Sequence, residues 1–526
     1  MPTGLTYSVA LDGVSGRVVT IEADISDGIP GWSLSGLPDT CVAEARDRCR
    51  AAMINSEHKW PDRRITVAMY PADVRKVGSH YDLAIALALL IAKGDLAGDG
   101  LRVAAVFGEL ALDGRLRAVP GVLPAVLSAS EAGLDRVIVP ELNVAEAQLV
   151  PGVEVIGVRS LRECLAVLTG VELAADDEPL PMHLFGSGGQ QDQARQLDDA
   201  DLCDVRGQAQ ARRCVEVAAA GGHHFLLEGP PGAGKTMLAE RFPALLPDLA
   251  FAAAIEVSKI HSLAGLLPRD NPLLVRPPFL SPNHNDTVPS VIGGGTRVIR
   301  PGAISLAHRG VLFLDEAPEF RPTVHDALRQ PLESGEISIR RADGAARFPA
   351  RFQLILAANP CPCGGSSTKA PCECTSSVSR RYRQRISGPV RDRIDMRHTV
   401  VPVSRAEMRT PVGAAGSTPE VAARVRAARE RQRRRFRETA WDTNADVPGH
   451  EFRRLCPLER DSMVAIEDAV ADGHLTQRGA DRVARMAWTL ADLMAARSPD
   501  RSHVDEALFL RSGGVLGYST PGRWAA

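Results

Sequence analysis

The 526-residue sequence has no long apolar run: its longest, Leu83–Ala92, is ten residues between Asp82 and Lys93, about half of what spans a bilayer. Met1–Gly13 shows no basic segment followed by an apolar stretch, so the expectation is a chain without an export signal, off the membrane and in the reducing cytoplasm. Net charge is nearly absent, −2 at neutral pH. The average therefore singles out no nucleic-acid binder, and the information lies in local blocks of charge. No internal repeat is visible, which argues against a solenoid or propeller. Of ten cysteines, six (Cys41, Cys49, Cys164, Cys203, Cys214, Cys456) are scattered. The other four crowd into NPCPCGGSSTKAPCECT, which begins at Asn359, and need a local chemical reason.

The length suggests about three domains at roughly 100–200 residues each. Strand-like Arg17–Ala23 and Arg64–Met69 mix with helix-like Val42–Asn55 and Tyr81–Lys93, predicting an α/β domain over residues 1–170. Residues 171–200 carry seven carboxylates against one arginine, with two prolines and a Gly-Ser-Gly-Gly run, the composition of a solvated linker. After it, FLLE, GVLFLD and FQLILAAN are short apolar runs ending in polar residues, as buried parallel strands do. The prediction is a nucleotide-binding core over 201–403 and a helical part over 404–526.

Gly229-Pro230-Pro231-Gly232-Ala233-Gly234-Lys235-Thr236 fits G-x-x-x-x-G-K-T, after the strand-like HFLLE and before the helix-like MLAERF. Glycines let backbone N–H groups curl around phosphates, Lys235 reaches the terminal phosphates of ATP, and the Thr236 hydroxyl holds magnesium. VLFLDE then offers Asp315 to the metal and Glu316 as base or orienter for the attacking water. Asn359 ends the third strand, where it either positions that water or merely forms a turn before proline. Arg393 in RISGPVRDRIDM stands where an arginine finger reaches a neighbour's nucleotide, which implies a ring of subunits.

The runs DVRGQAQARR, GPPGAGKTMLAERFPALLP, GGGTRVIRPGAISLAHRGVLFLDEAPEF, LILAANPCPCGG and RISGPVRDRIDM resemble the YifB/ComM family of magnesium-chelatase-like AAA+ ATPases, over about residues 5–515. The resemblance implies an α/β fold with a central parallel sheet and a C-terminal helical lid. It further implies a hexameric ring acting on DNA, as branch-migration motors in homologous recombination do, with a chelatase-type ATPase remodelling a protein partner as the alternative. It also implies a sensor-2 helix at LTQRGADRVARMAWTLADL, with Arg478 as the first nucleotide contact and Arg485 as its rival. FLSPNHND departs from the family's more basic segment, which puts that insert's contribution in doubt.

Residues 66–90 and 107–141 resemble the proteolytic domain of Lon, but its serine position falls on His80 and its lysine position on Leu123. Ser79, one residue early, lacks a lysine base and reads as an exposed loop serine, so the domain is expected to be structural or partner-binding. Cys361, Cys363, Cys372 and Cys374 form C-x-C…C-x-C, a set suited to a closed structural zinc site, with disulfides or free thiols as alternatives. Two basic elements are DNA candidates: a hairpin over Gly335–Gln353 with Arg340, Arg341, Arg347 and Arg351, and Arg424–Arg437, with eight arginines against one glutamate. Their alternatives are a charged surface hairpin and a solvated helix face.

Overall fold

The computed structural model describes residues 3–171, 201–295, 299–341, 344–365, 372–405, 407–409 and 416–513. The acidic stretch read as a linker lies, from residue 172, outside the described residues. Among the described residues no helix is long and apolar enough to cross a membrane.

The first domain is built on a seven-stranded mixed sheet. Its strands are β1 (Gly4–Asp12), β2 (Ser15–Ser26), β3 (Gly31–Ser35), β4 (Arg64–Tyr70), β5 (Ala104–Val106), β6 (Arg136–Pro140) and β7 (Glu154–Val158), in the order β3-β4-β2-β1-β5-β6-β7. Alternation along β2 buries Val19, Ile21, Ala23 and Ile25 against α1 (Ala45–Asn55) and α2 (Asp82–Lys93). The opposite face receives α3 (Val122–Glu131). The ten-residue apolar run is α2, buried from Leu83 to Ala92 and ended by Gly94 at φ +89°. At its start Asp82 is fully buried and bonded by Arg48, Nε to Oδ2 2.6 Å. Burial pushes this carboxyl up to about 6 despite the guanidinium, so the pair serves the fold of this domain.

The second domain holds a five-stranded parallel sheet: β8 (Phe225–Glu228), β9 (Phe279–Leu280), β10 (Val311–Leu314), β13 (Gln353–Ala358) and β14 (Met396–Thr399), in the order β9-β10-β13-β8-β14. A separate antiparallel hairpin, β11 (Glu336–Arg341) with β12 (Gly344–Pro349), precedes β13. Around the sheet lie α4 (Ala209–Gly221), α5 (Lys235–Glu240), α6 (Phe251–Ala264), α7 (Val288–Ile292), α8 (Ser376–Gln384) and α9 (Gly388–Arg393). From Thr418 on the described chain is helical: α10 (Thr418–Phe436), α11 (Arg460–Ala471), α12 (Gln477–Leu493) and α13 (Arg501–Ser512) are its longest elements. These helices have a small cluster of their own around Phe436, Phe452 and Trp488, but most of their apolar side chains join the sheet's core. Val425, Val483, Met486 and Leu490 join Phe225, Leu227 and Ile355 in one apolar cluster, so the lid is fastened to the strand that carries the phosphate loop.

The first domain docks on α6 through buried polar contacts. Glu146 accepts from Leu123 N (2.9 Å), from Asn143 Nδ2 (3.2 Å) and from the Ser262 hydroxyl, and Gly121 N donates to Ser262 O (3.0 Å). Burial raises the Glu146 carboxyl despite these donors. Glu146→Ala would remove the acceptor of Leu123 N and of the Ser262 hydroxyl, while Asn143 Nδ2 keeps Val119 O (3.0 Å), at a cost of roughly 1–3 kcal/mol for each donor that water does not reach. Hydrogen exchange measured on that variant is expected to accelerate in Gly121–Leu123 and α6, with the β1–β2 amides unchanged.

Candidate active site

Gly229 leaves β8 with its N–H bonded to Ala358 O (3.1 Å), so the loop is anchored to β13 at its first residue. Gly232 and Gly234 take φ of +74° and +91°, which side chains resist, and Lys235 then opens α5. Lys235 is only 8% exposed. Its Nζ donates to Gly229 O (2.7 Å), Pro230 O (2.9 Å) and Asn359 Oδ1 (3.1 Å). Burial lowers its ammonium pKa, opposed by Asp315 and Glu316.

The neighbouring strands bring the other polar groups to the same edge. Thr236 Oγ1 donates to Asp315 Oδ2 (2.7 Å), and Asp315 Oδ1 accepts from Glu316 N (2.9 Å). Glu316 has φ +51°, unusual for a glutamate, which turns the chain sharply beyond β10. Its Oε2 lies 3.3 Å from His284 Nδ1. Strand β13 runs between β10 and β8, so Asn359 at its end stands between the two motif strands. The residues fit ATP and magnesium: a buried ammonium surrounded by acceptors that phosphate oxygens can replace, beside a hydroxyl and a carboxylate of the hard-oxygen type.

The cysteine cluster abuts this loop. Cys361 Sγ lies 3.2 Å from Cys363 Sγ and 3.3 Å from Cys372 Sγ, Cys363 and Cys372 are 3.6 Å apart, and all four sulfurs with Cys374 lie within 4.8 Å of one another. Four thiolates on one zinc at 2.3 Å stand about 3.8 Å apart, so the set fits the ion. The Cys361 thiol, donating to Cys363, helps pull the Cys363 thiol down to about 6. All ten cysteines are free, so no disulfide competes. Gly364, at φ +66°, lies so close that a Cβ there would sit 2.7 Å from Pro231 Cγ. The cluster thus backs directly onto the phosphate loop.

Arg393 and Arg478 lie elsewhere. Arg393 ends α9, just before β14, and β14 pairs in parallel with β8. It therefore sits at the amino-terminal end of the sheet, while the phosphate loop follows the carboxyl end, a strand length of about 13 Å away. Arg393 donates to Pro389 O (2.7 Å) and pairs with Glu333. Burial and the cations Arg478, Arg482 and Arg329 lower its pKa. Arg478, 74% exposed, meets Asp392 at 3.2 Å, on the same end. Arg485 is half-buried with its Nε lacking a partner among the described residues, and burial lowers its pKa. The sequence reading missed Arg482 and Arg511. The first bonds Arg393 O (2.9 Å) and Asp395, the second Ile394 O and Asp395 O (3.2 Å), so two lid arginines hold the turn that carries Arg393. Arg482 stands one helical turn after Arg478 on α12, whereas Arg511 is on α13 and no spacing with Arg478 marks it.

The remaining candidates divide. Ser79 is half-buried rather than exposed, because its hydroxyl bonds Glu109. His80 Nε2 bonds Val9 O (3.0 Å) and burial lowers its pKa to about 4, while Leu123 is fully buried, so no nucleophile is activated there. In the hairpin, Ile337, Ile339, Ala346 and Phe348 face the core, while Arg340 and Arg347 share the exposed face and Arg351 follows, also exposed. The side chain of Arg341 lies outside the described residues. The arginine helix is only partly free. Arg424 pairs with Glu216 (2.5 Å), Arg429 bonds Ala219 O (2.8 Å), Arg431 bonds Asp492 O (2.8 Å), and Arg435 pairs with Asp492, which is 1% exposed. Breaking a buried pair of that kind costs roughly 3–5 kcal/mol, against about 0.2–1 for an exposed pair such as Arg434–Glu430. These four arginines fasten the lid, a use that neither DNA contact nor a solvated helix face describes, and Arg426, Arg433, Arg434 and Arg437 form the outer face.

Three family models match in succession: "Subunit ChlI of Mg-chelatase" over residues 21–143, "Magnesium chelatase, subunit ChlI" over 201–408, and "Magnesium chelatase, subunit ChlI C-terminal" over 415–511. An uncharacterized protein of Mycobacterium tuberculosis is 46% identical over 518 residues, covering 98% of this chain and all of the relative. YifB of Escherichia coli is 39% identical over 516 residues, 97% of each chain. Competence protein ComM of Haemophilus influenzae is 38% identical over 512 residues, 97% of this chain and 98% of its own. With matches of this length on both sides of a ChlI-type nucleotide site, the chain belongs to the YifB/ComM family of magnesium-chelatase-like AAA+ ATPases.

Proposed function

We propose that the protein is a ring-forming, most simply hexameric, ATPase that moves DNA, a helicase-type motor for branch migration in recombination or DNA uptake, working in the cytoplasm. The observation that carries the ring is the separation of Lys235, Thr236 and Glu316 from Arg393 and Arg478 by the length of one parallel sheet. No subunit supplies both sets to one nucleotide, so each nucleotide is completed by the next subunit.

In this reading Lys235 exchanges its backbone and Asn359 acceptors for terminal phosphate oxygens, and the Gly229–Gly234 amides line the phosphates. Magnesium, held by Thr236 and Asp315, supplies charge neutralisation at the phosphates when bound. Glu316 takes the proton of the attacking water and Asn359 orients that water. Arg393 and Arg478 of the neighbouring subunit stabilise the charge that develops on the transferred group. Cys361, Cys363, Cys372 and Cys374 hold one structural zinc, which fixes the loop that backs the phosphate site. Competence in the name of the ComM relative supports a role on DNA, and Arg340 with Arg347 supply a sequence-independent grip on phosphates.

The protein as purified, without chelators, is expected to carry one zinc per chain by elemental analysis; a metal-free preparation with full ATP turnover would contradict the zinc assignment. ATP turnover is expected to rise with single-stranded or branched DNA. In an Arg340→Ala/Arg347→Ala variant with an unchanged thermal transition the stimulation should fall, and the salt dependence of DNA binding should flatten by about 0.7 per lost phosphate contact on single strands and about 0.9 on duplex. Unchanged stimulation and slope would remove the hairpin from the DNA path and favour a protein substrate.

A further inference from the structure

A run of positive charge precedes Arg393 and takes no part in the site described above. From Thr375 to Arg391 the chain carries five arginines, Arg380, Arg381, Arg383, Arg385 and Arg391, and no carboxylate. On α8, Tyr382 is 3% exposed and turns inward, and Arg385 pairs with Glu319 (2.7 Å). Arg380 and Arg383, three residues apart on one helical face, are exposed. The only side-chain bond either makes among the described residues runs from Arg383 Nε to Ser379 O (3.4 Å), within its own helix.

Two clefts meet at Arg391. One, of about 280 Å³, lies among Arg380, Arg383, Gln384 and Arg391. The other, of about 550 Å³, runs from Arg391 past Arg397 of β14 to His474 and Arg511 of the lid. Arg397 Nε is buried with no partner among the described residues, and burial, followed by the charge of Arg391, lowers the pKa of this guanidinium. Asp392 is the one carboxylate that lines either cleft, and Arg478 already bonds it (3.2 Å). The two clefts therefore make one groove in which cations outnumber anions, beside the turn that carries Arg393.

A row of guanidinia suits a row of phosphates. No Phe, Tyr or Trp lines either cleft, so bases have no ring to stack on. The large apolar side chains there are Leu475 and Leu508, too few for the core of a protein interface. A duplex keeps its bases stacked inside and presents phosphates at regular spacing outside. Ile386 and Val390, which carry the chain from α8 into α9, share an apolar cluster with Ile337, Ile339 and Phe348 of the arginine hairpin, so groove and hairpin belong to one packed unit. We propose that the groove from Arg380 to Arg511 holds the phosphate backbone of duplex DNA without reading its sequence, as a contact separate from the hairpin. This rests on the DNA reading above.

The test is binding of two blunt DNA duplexes of unrelated sequence to the full chain over a range of salt. In Arg380→Ala/Arg383→Ala/Arg391→Ala the slope of log affinity against log salt is expected to flatten by about 0.9 per lost contact, up to about 2.7 in all, with both sequences weakened by the same factor. Arg380→Lys/Arg383→Lys/Arg391→Lys, which keeps the charges, should bind within about twofold of wild type. If the alanine variant has a lowered thermal transition, Arg380→Gln/Arg383→Gln, confined to the exposed face of α8, gives the same reading with a flattening of up to about 1.8. ATP turnover without DNA should stay within about twofold of wild type in every variant. An unchanged slope beside normal binding by wild type overturns the groove and leaves the hairpin standing, whereas a wild type that binds neither duplex nor single strands removes the DNA reading itself. Lost DNA-free turnover at an unchanged slope would assign these arginines to the neighbouring subunit's nucleotide or to its acidic surface, and equally overturns the proposal.

Discussion

The parallel pairing of β8 with β13 and β14 is the constraint on which the site depends. Parallel strands point the same way, so everything that follows a strand gathers at one edge and everything that precedes one gathers at the other. The phosphate loop, Asp315–Glu316 and Asn359 all follow strands. Arg393 precedes one. The hydrogen bonds that order the sheet thus also place the phosphate loop with Asp315, Glu316 and Asn359 at one end of it and Arg393 at the other. The lid reinforces that division, because Arg482 and Arg511 fasten the Arg393 turn while the helices bearing them share a core with β8.

The cysteine cluster and the first domain each act on this frame from outside the sheet. Gly364 of the cysteine cluster lies against Pro231, so the cluster and the phosphate loop share a contact. In the first domain the position that resembles a protease lysine is Leu123, whose backbone N–H holds Glu146, which in turn holds Ser262 of the ATPase domain. What stands at the former catalytic position is a joint.

Motifs that act locally were legible in the sequence. Gly229–Thr236 and Asp315 need only a strand, a turn and a helix in succession, and the hairpin's alternation of Ile337, Ile339 and Ala346, Phe348 against Arg340 and Arg347 shows in its period of two. Features set by partners far along the chain were not. The use of Arg424 and Arg435 as fasteners depends on Glu216 and Asp492, which no spacing within Arg424–Arg437 reveals. The placement of His284 depends on a parallel register between two short strands, so an insert that looked weakly basic and of doubtful use turned out to touch the site. Ser79 looked like an exposed loop residue because Glu109, its acceptor, is thirty positions away.

The central claim is that one nucleotide is completed by two subunits. Lys235→Ala and Arg393→Ala should each abolish ATP hydrolysis in pure rings. When the two variants are mixed, some boundaries pair an intact phosphate loop with an intact arginine, and the account predicts partial recovery with a maximum at intermediate ratios. Confirmed mixed rings that stay inactive at every ratio would contradict it.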